Sequence, residues 1–159
     1  MEIRSSDEGW EFTAMDPFVL ELLRVLPACA EPEDDAARKR IFSPPTIQPD
    51  ADAEANSEWS EYVEPGLREL FKSHTDIVAA DLAAMKGEGE AATLRIPTEH
   101  GRAWIHTFNQ ARLALGARHG VTEDDTAGRT EPGGEKAFAL MQIDFYATLL
   151  GLLLSRTEL

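Results

Sequence analysis

Ala137-Phe138-Ala139-Leu140-Met141-Gln142-Ile143-Asp144-Phe145-Tyr146-Ala147-Thr148-Leu149-Leu150-Gly151-Leu152-Leu153-Leu154 is the most apolar run of the chain, and its placement decides the fold. At 18 residues it stands at the lower limit for crossing a bilayer. Gln142 and Asp144 interrupt it, and a carboxylate at mid-membrane is expensive. The uninterrupted part, from Phe145 to Leu154, is too short to span. The run is therefore expected to form a buried helix, from about Glu135 to Arg156, around which the others pack.

That placement creates a demand. A carboxylate inside a dry core must be paired or lose its charge. The helix expected from Glu99 to His119 offers the partner, because Asn109 and Arg112 are three apart and share a face beside the stripe Trp104, Phe108, Ala111 and Leu115. A planar guanidinium can bind a carboxylate through two hydrogen bonds. The expected polar cluster is Asn109, Arg112, Gln142 and Asp144, with Arg112 paired to Asp144. It could fix helix register and nothing more, or it could line a ligand pocket.

Working outward, Glu2-Ile3-Arg4 and Trp10-Glu11-Phe12-Thr13 alternate in polarity around Ser5–Gly9, which predicts a hairpin. Ala92–Ile96 alternates likewise and predicts a third strand. Asp16-Pro17 is a helix start, and Pro27 is expected to stop that helix. Phe18, Leu22 and Val25 form one stripe and Val19, Leu23 and Leu26 the next, so this helix should be mostly buried. Asp35–Phe42 predicts a short basic helix, and Thr46–Asn56 a polar loop. Ser57 is expected to cap a helix that Pro65 restarts or kinks, which continues to Lys86 and stops at Gly87 and Gly89. Thr98 is expected to cap the helix ending before Gly120, and residues 121–134 to form a second polar loop. Gly116 and Gly120 suggest close packing plus a cap, and Gly151 a second close approach.

Across the chain's 159 residues, 29 Asp and Glu outnumber 15 Lys and Arg, for a net charge of −14. Such a surface repels phosphate backbones, so nucleic acid is not expected as a partner. The imbalance is local: residues 1–90 hold 21 acids and 8 bases, residues 91–159 hold 8 and 7. Apolar residues make up 43%, enough for one core. Cys29 is the only cysteine, so no disulfide framework or cysteine-based metal site exists. Cys29 itself, among alanines, reads as a small buried hydrophobe. His74, His100, His106 and His119 show no paired-ligand spacing, and no Walker, GxGxxG, GxSxG or HExxH motif occurs. The acidic stretches Glu31–Asp35 and Glu123–Asp125 lack the spacing of a calcium loop. Trp10, Trp59 and Trp104 read as core or core-edge residues, Trp59 being the one best suited to a partner surface. Neither metal nor cofactor is expected. Met1–Glu8 carries no secretory signal pattern, which with the lone cysteine points to the cytoplasm.

The stretch Trp104–Val121 resembles the signature of an uncharacterised bacterial family, domain of unknown function 2017. The resemblance rests on Trp104, on Asn109, and on Arg112-Leu113-Ala114-Leu115-Gly116-Ala117-Arg118 closing in Gly120. Tyr62-Val63-Glu64-Pro65 ahead of a long helix and the apolar C-terminal helix are similar too. The likeness covers nearly the whole chain, its specific part being Arg112–Gly120, and it departs at His119, where the family has Leu. It implies a mostly helical, cytoplasmic, single-domain protein and no reaction. In some bacteria genes of this family lie beside the Clp protease adaptor, which by analogy implies a role in protein turnover.

The expectation is thus an α+β, mostly α fold: a four-helix, bundle-like core with a small antiparallel sheet made of the N-terminal hairpin and one strand. One domain is expected over residues 1–159, comprising the hairpin (1–13), an acidic helical half (14–90) and a near-neutral half (91–159). The expected function is that of a non-enzymatic regulatory or adaptor protein that binds another protein. The alternative is a small-molecule or anion-binding domain with a polar pocket around Arg112. No membrane association is expected, and apolar surface left over on the long helices would favour a homodimer.

Overall fold

The computed structural model describes residues 1–44, 52–125 and 133–155. The alternating polarity of the N-terminus closes into strands β1 (Glu2–Ser6) and β2 (Gly9–Thr13), and β2 pairs with β3 (Leu94–Pro97). The sheet is antiparallel, as the sequence predicts, and its strand order is β1-β2-β3. Its inner face carries Trp10 opposite Ile96 and Phe12 opposite Leu94, all buried. Its outer face carries Glu11 opposite Arg95, joined by a 2.8 Å ion pair. Gly9 is required where β2 meets β3. Its φ is +130°, and a Cβ there would sit 2.0 Å from the Ile96 carbonyl oxygen.

Prolines set the helix boundaries. Asp16 caps α1 (Pro17–Arg24), its carboxylate accepting from the Val19 N–H at 2.9 Å. Pro27 does not end this helix. The chain breaks at Val25 and restarts as α2 (Leu26–Ala30) with Pro27 in the first turn, where a missing N–H costs nothing. The buried residues of α1 are Leu20, Leu22 and Leu23, whereas Phe18 is 51% exposed. A short basic helix, α3 (Asp35–Ile41), comes next, capped by Asp34.

Helix α4 (Ala53–Tyr62) begins before Ser57, so Ser57 is not its cap, and residues 53–56 are helix rather than loop. It buries none of its side chains; Trp59 is half-buried. The rest of the loop expected at 46–56 lies outside the described residues, apart from residue 52. Pro65 restarts the chain as α5 (Glu64–Ala83) in the same way as Pro27. Lys86, expected in that helix, instead bridges to Thr93 in extended backbone.

Thr98 is not a helix cap either. It opens a 3-10 turn (Thr98–His100), and its hydroxyl donates to the Asp7 carbonyl at 2.9 Å, tying this turn back to the hairpin. Helix α6 (Gly101–Arg118) then runs to a Schellman ending, with Val121 N–H on the Gly116 carbonyl and Gly120 N–H on Ala117. Gly120 supplies the φ of +57° this ending needs. A Cβ at Gly116 or at Gly151 would meet nothing within 4 Å, so neither glycine serves close packing. Of the loop expected at 121–134, residues 126–132 lie outside the described residues. Helix α7 (Gly134–Leu154) completes the fold.

The centre of the fold is α6, not α7. Helix α6 packs against α2, α3, α5 and α7. It buries Ala103, Trp104, Thr107, Phe108, Ala111, Ala114 and Leu115, alanines alternating with aromatics so that neighbours approach on several sides. Helix α7 lies against α6 along one seam, Ala139, Gln142, Tyr146, Leu149 and Leu153. Of its most apolar 18 residues only 28% are buried inside the protein. The helix is apolar nearly all round, so its composition carries no information about which side, or how many sides, are covered.

Candidate functional site

The expected cluster separates into three places. Gln142 and Asp144 are two positions apart on one helix, about 200° around its axis. Once Gln142 turns toward α6, Asp144 must turn away. Gln142 is 5% exposed; Asp144 is solvent-exposed and makes no ion pair with Arg112 or with any other described residue. The Arg112–Asp144 pair does not form, and the demand for a partner vanishes because the carboxylate never leaves water.

Gln142 joins a different group. Its amide approaches Cys29 Sγ at 3.8 Å, and the Tyr146 hydroxyl, which donates to the Leu22 carbonyl at 2.8 Å, lies 4.0 Å from the same sulfur. Burial pushes the Cys29 thiol and the Tyr146 phenol up from their ordinary values. The thiol is therefore held protonated, as a packing group suits and a nucleophile does not.

Asn109 and Arg112 do come together, on the wall of a groove of about 410 Å³ formed by the end of α3, the second half of α6 and Ile143 of α7. Arg40, read in the sequence only as part of the short basic helix, lines the same groove. Arg112 is half-buried, and its Nε is sealed from solvent without a hydrogen-bond partner. At the far end of α6 Arg118 is fully engaged, its Nε donating to Asp34 at 2.7 Å and its guanidinium reaching the Glu31 carbonyl at 3.2 Å. The Ala37 N–H first, and Arg118 second, hold Asp34 below the usual carboxylate range.

A buried carboxylate with partners exists, but it is Asp81 of α5. It accepts from Trp104 Nε1 at 2.8 Å and meets His100 Nδ1 at 2.9 Å, linking α5 to the start of α6. The signal is present in the sequence, since Asp81 is three residues beyond Val78 on the inward stripe of its helix. A histidine oriented by an aspartate is half of a nucleophilic triad. Among the described residues no hydroxyl or thiol hydrogen-bonds to His100; what the pair does in this structure is tie α5 to the start of α6.

His74 of α5 and His106 of α6 stack face to face, ring centres 4.8 Å apart and planes within 9°. Burial lowers both pKa values, His106 and Arg102 adding repulsion at His74 and Arg102 at His106. Among the described residues no group of three His, Cys, Asp or Glu side chains could hold a metal ion.

A small sheet leaning on a helical body, with polar groups that latch helices together, defines this chain as a mostly helical α+β protein. Its sequence matches the family described as "Domain of unknown function (DUF2017)" over residues 2–156, and the chain belongs to that family. No curated protein and no solved structure matches it.

Proposed function

We propose that this protein is a non-enzymatic cytoplasmic regulatory or adaptor protein that binds another protein through the outer face of α7. The observation that carries the reading is a second seam on that helix. Phe138, Met141, Phe145, Thr148 and Leu152 succeed one another at i, i+3, i+7, i+10 and i+14, the heptad spacing of a helix that receives another helix. Phe138 is 48% and Leu152 41% exposed, while Met141 and Phe145 are half-buried. Large apolar side chains left in water, as Phe138 and Leu152 are at the two ends of this seam, favour occupation by a partner.

The charge selects among occupants. Asp144 and Glu135 flank the seam, within a chain of net charge −14. A second copy would bring like charge against like charge, and an anionic lipid surface would be repelled. The complementary partner is an amphipathic helix with an apolar ridge bordered by Lys and Arg. Helix α7 is long and apolar enough to cross a membrane, with a mean hydropathy of 1.7. Its packing on α6 and its exposed Asp144 support a docking role instead.

The test compares the wild-type chain with Met141→Glu/Leu152→Glu, each shown folded by circular dichroism, in affinity recovery coupled to crosslinking from α7. One protein with a basic amphipathic helix should crosslink to α7 in the wild type and fall at least tenfold in the double variant. A partner retained equally by both overturns the reading. So does a wild-type dimer that the same substitutions dissociate, or flotation of the chain with lipid vesicles.

A further inference from the structure

We infer that the groove between α3 and the second half of α6 binds a phosphate monoester carried by a small organic body. The groove is separate from the outer face of α7, and its occupation does not depend on a partner there.

Three polar residues line it, Arg40, Asn109 and Arg112, and none has a side-chain hydrogen bond or ion pair among the described residues. Arg112 is the decisive one. Its Nε is shut away from water with nothing to donate to, which leaves the side chain under-satisfied, and its terminal amino groups are not sealed, so they are what a ligand in the groove would meet. It is the one arginine among the described residues in that condition. Elsewhere the chain answers its half-buried arginines with acids: Arg68 with Glu64, Arg118 with Asp34.

The lining of the groove excludes the usual partner. In a chain with 29 acidic residues, no carboxylate among the described residues lines it. The groove beside the hairpin contains Glu8 and Glu11, and the one between α3 and α5 contains Glu31 and Glu33. Two unneutralised guanidiniums in a strongly acidic protein make a local positive spot that the long-range field does not explain. A dianion matches two cations, and the planar guanidinium fork matches a phosphoryl group. The remaining walls, Leu113, Val121 and Ile143, are apolar, and about 410 Å³ is more than a bare phosphate fills. Asn109 adds an amide that can donate to a third oxygen or to the ester body.

Phenyl phosphate, inorganic phosphate, benzoate and benzyl alcohol serve as probes, read by thermal unfolding and by the Arg112 Nε–H resonance in ¹⁵N-labelled protein. Ionic strength is held constant with potassium chloride, because any salt relieves self-repulsion in a chain this charged. Phenyl phosphate should raise the melting temperature by several degrees and shift the Arg112 Nε–H. Inorganic phosphate should do so more weakly, and the other two not at all. Arg40→Gln, at an exposed position that leaves the core intact, and Arg112→Gln should each weaken binding at least tenfold. Arg102→Gln, elsewhere on α6, should not. Absence of any shift with phenyl phosphate overturns the inference. Equal response to benzoate shows a carboxylate site and overturns the phosphate assignment. Undiminished binding in Arg40→Gln shows that the anion sits elsewhere.

Discussion

Helices α6 and α7 pack against each other more extensively than any other pair of elements, yet they occupy opposite kinds of place. Helix α6 carries Arg102, His106, Asn109, Arg112 and Arg118 and is the centre of the fold. Helix α7, far more apolar, lies at the edge with one seam covered. What places a helix in the middle is not apolarity but the size pattern of its side chains. In α6 the small residues Gly101, Ala103, Ala111 and Ala114 admit neighbours on several sides, and the large polar groups leave through the gaps between them. In α7 apolar groups lie on most sides, so the seam that meets α6, Leu22 and Cys29 is covered while Phe138 and Leu152 stay in water.

The sharpest way to break this contrast is truncation at matched positions. Trp104→Ala in α6 should cost about 3–5 kcal/mol, whereas Phe138→Ala or Leu152→Ala on the outer seam should stay within about 0.5 kcal/mol. Urea denaturation midpoints decide it; comparable losses in the two helices would show that α7 is as much core as α6. Next comes the latch holding α6 to α5. Asp81→Ala leaves the buried Trp104 Nε1–H without an acceptor, which should cost about 1–3 kcal/mol. A neutral result in the same assay would mean the carboxylate contributes nothing to the central position of α6.

The stacked rings on these two helices predict a smaller effect with a definite sign. His74 and His106 are harder to protonate in the folded chain than in the unfolded one. As pH falls below about 6.5, the unfolded chain takes up protons first. Stability should therefore decline through that window and level off once the folded rings protonate, with no contribution above about pH 7.5. Denaturation midpoints of the wild type and of His74→Gln/His106→Gln, measured from about pH 7.5 down to about pH 5, should differ in slope; parallel curves would refute the stack as the cause. Smallest of all, Asp144→Ala should change stability by no more than about 0.5 kcal/mol. A large loss would restore the buried-acid picture that the sequence invites.

Much of the fold is legible in the sequence. The alternation in residues 2–13 and 92–96 specifies the sheet and its antiparallel pairing, and Asp16-Pro17 marks a helix start by a mechanism that operates locally. Glycine at position 120 marks a helix end for the same reason. Local rules fail where two readings compete. A proline can end a helix or begin one: Pro65 restarts one as expected, whereas Pro27, expected to stop its helix, also begins one. A threonine hydroxyl can cap its own helix or reach another segment, and Thr98 reaches Asp7.

Of the candidate site, the shared face of Asn109 and Arg112 is legible because both lie on one helix. Arg40 is not, since its approach depends on α3 docking across a separation of about 70 residues. The misplacement of Asp144 has a readable remedy. Marking the heptad seam Ala139, Gln142, Tyr146, Leu149 and Leu153 sends Asp144 to the opposite side before any neighbour is known. The same marking on α5 turns Asp81 inward, where the carboxylate with partners is found.

The pairing of β2 with β3 has a further consequence for the order in which the molecule is made. Phe12 meets Leu94 only after about 80 further residues have left the ribosome, and Trp10 rests on Gly101 beyond that. A two-stranded ribbon alone is marginal in water. Strands β1 and β2 therefore wait, their aromatics bare, until α6 emerges to receive them, and they become native later than their place in the sequence suggests.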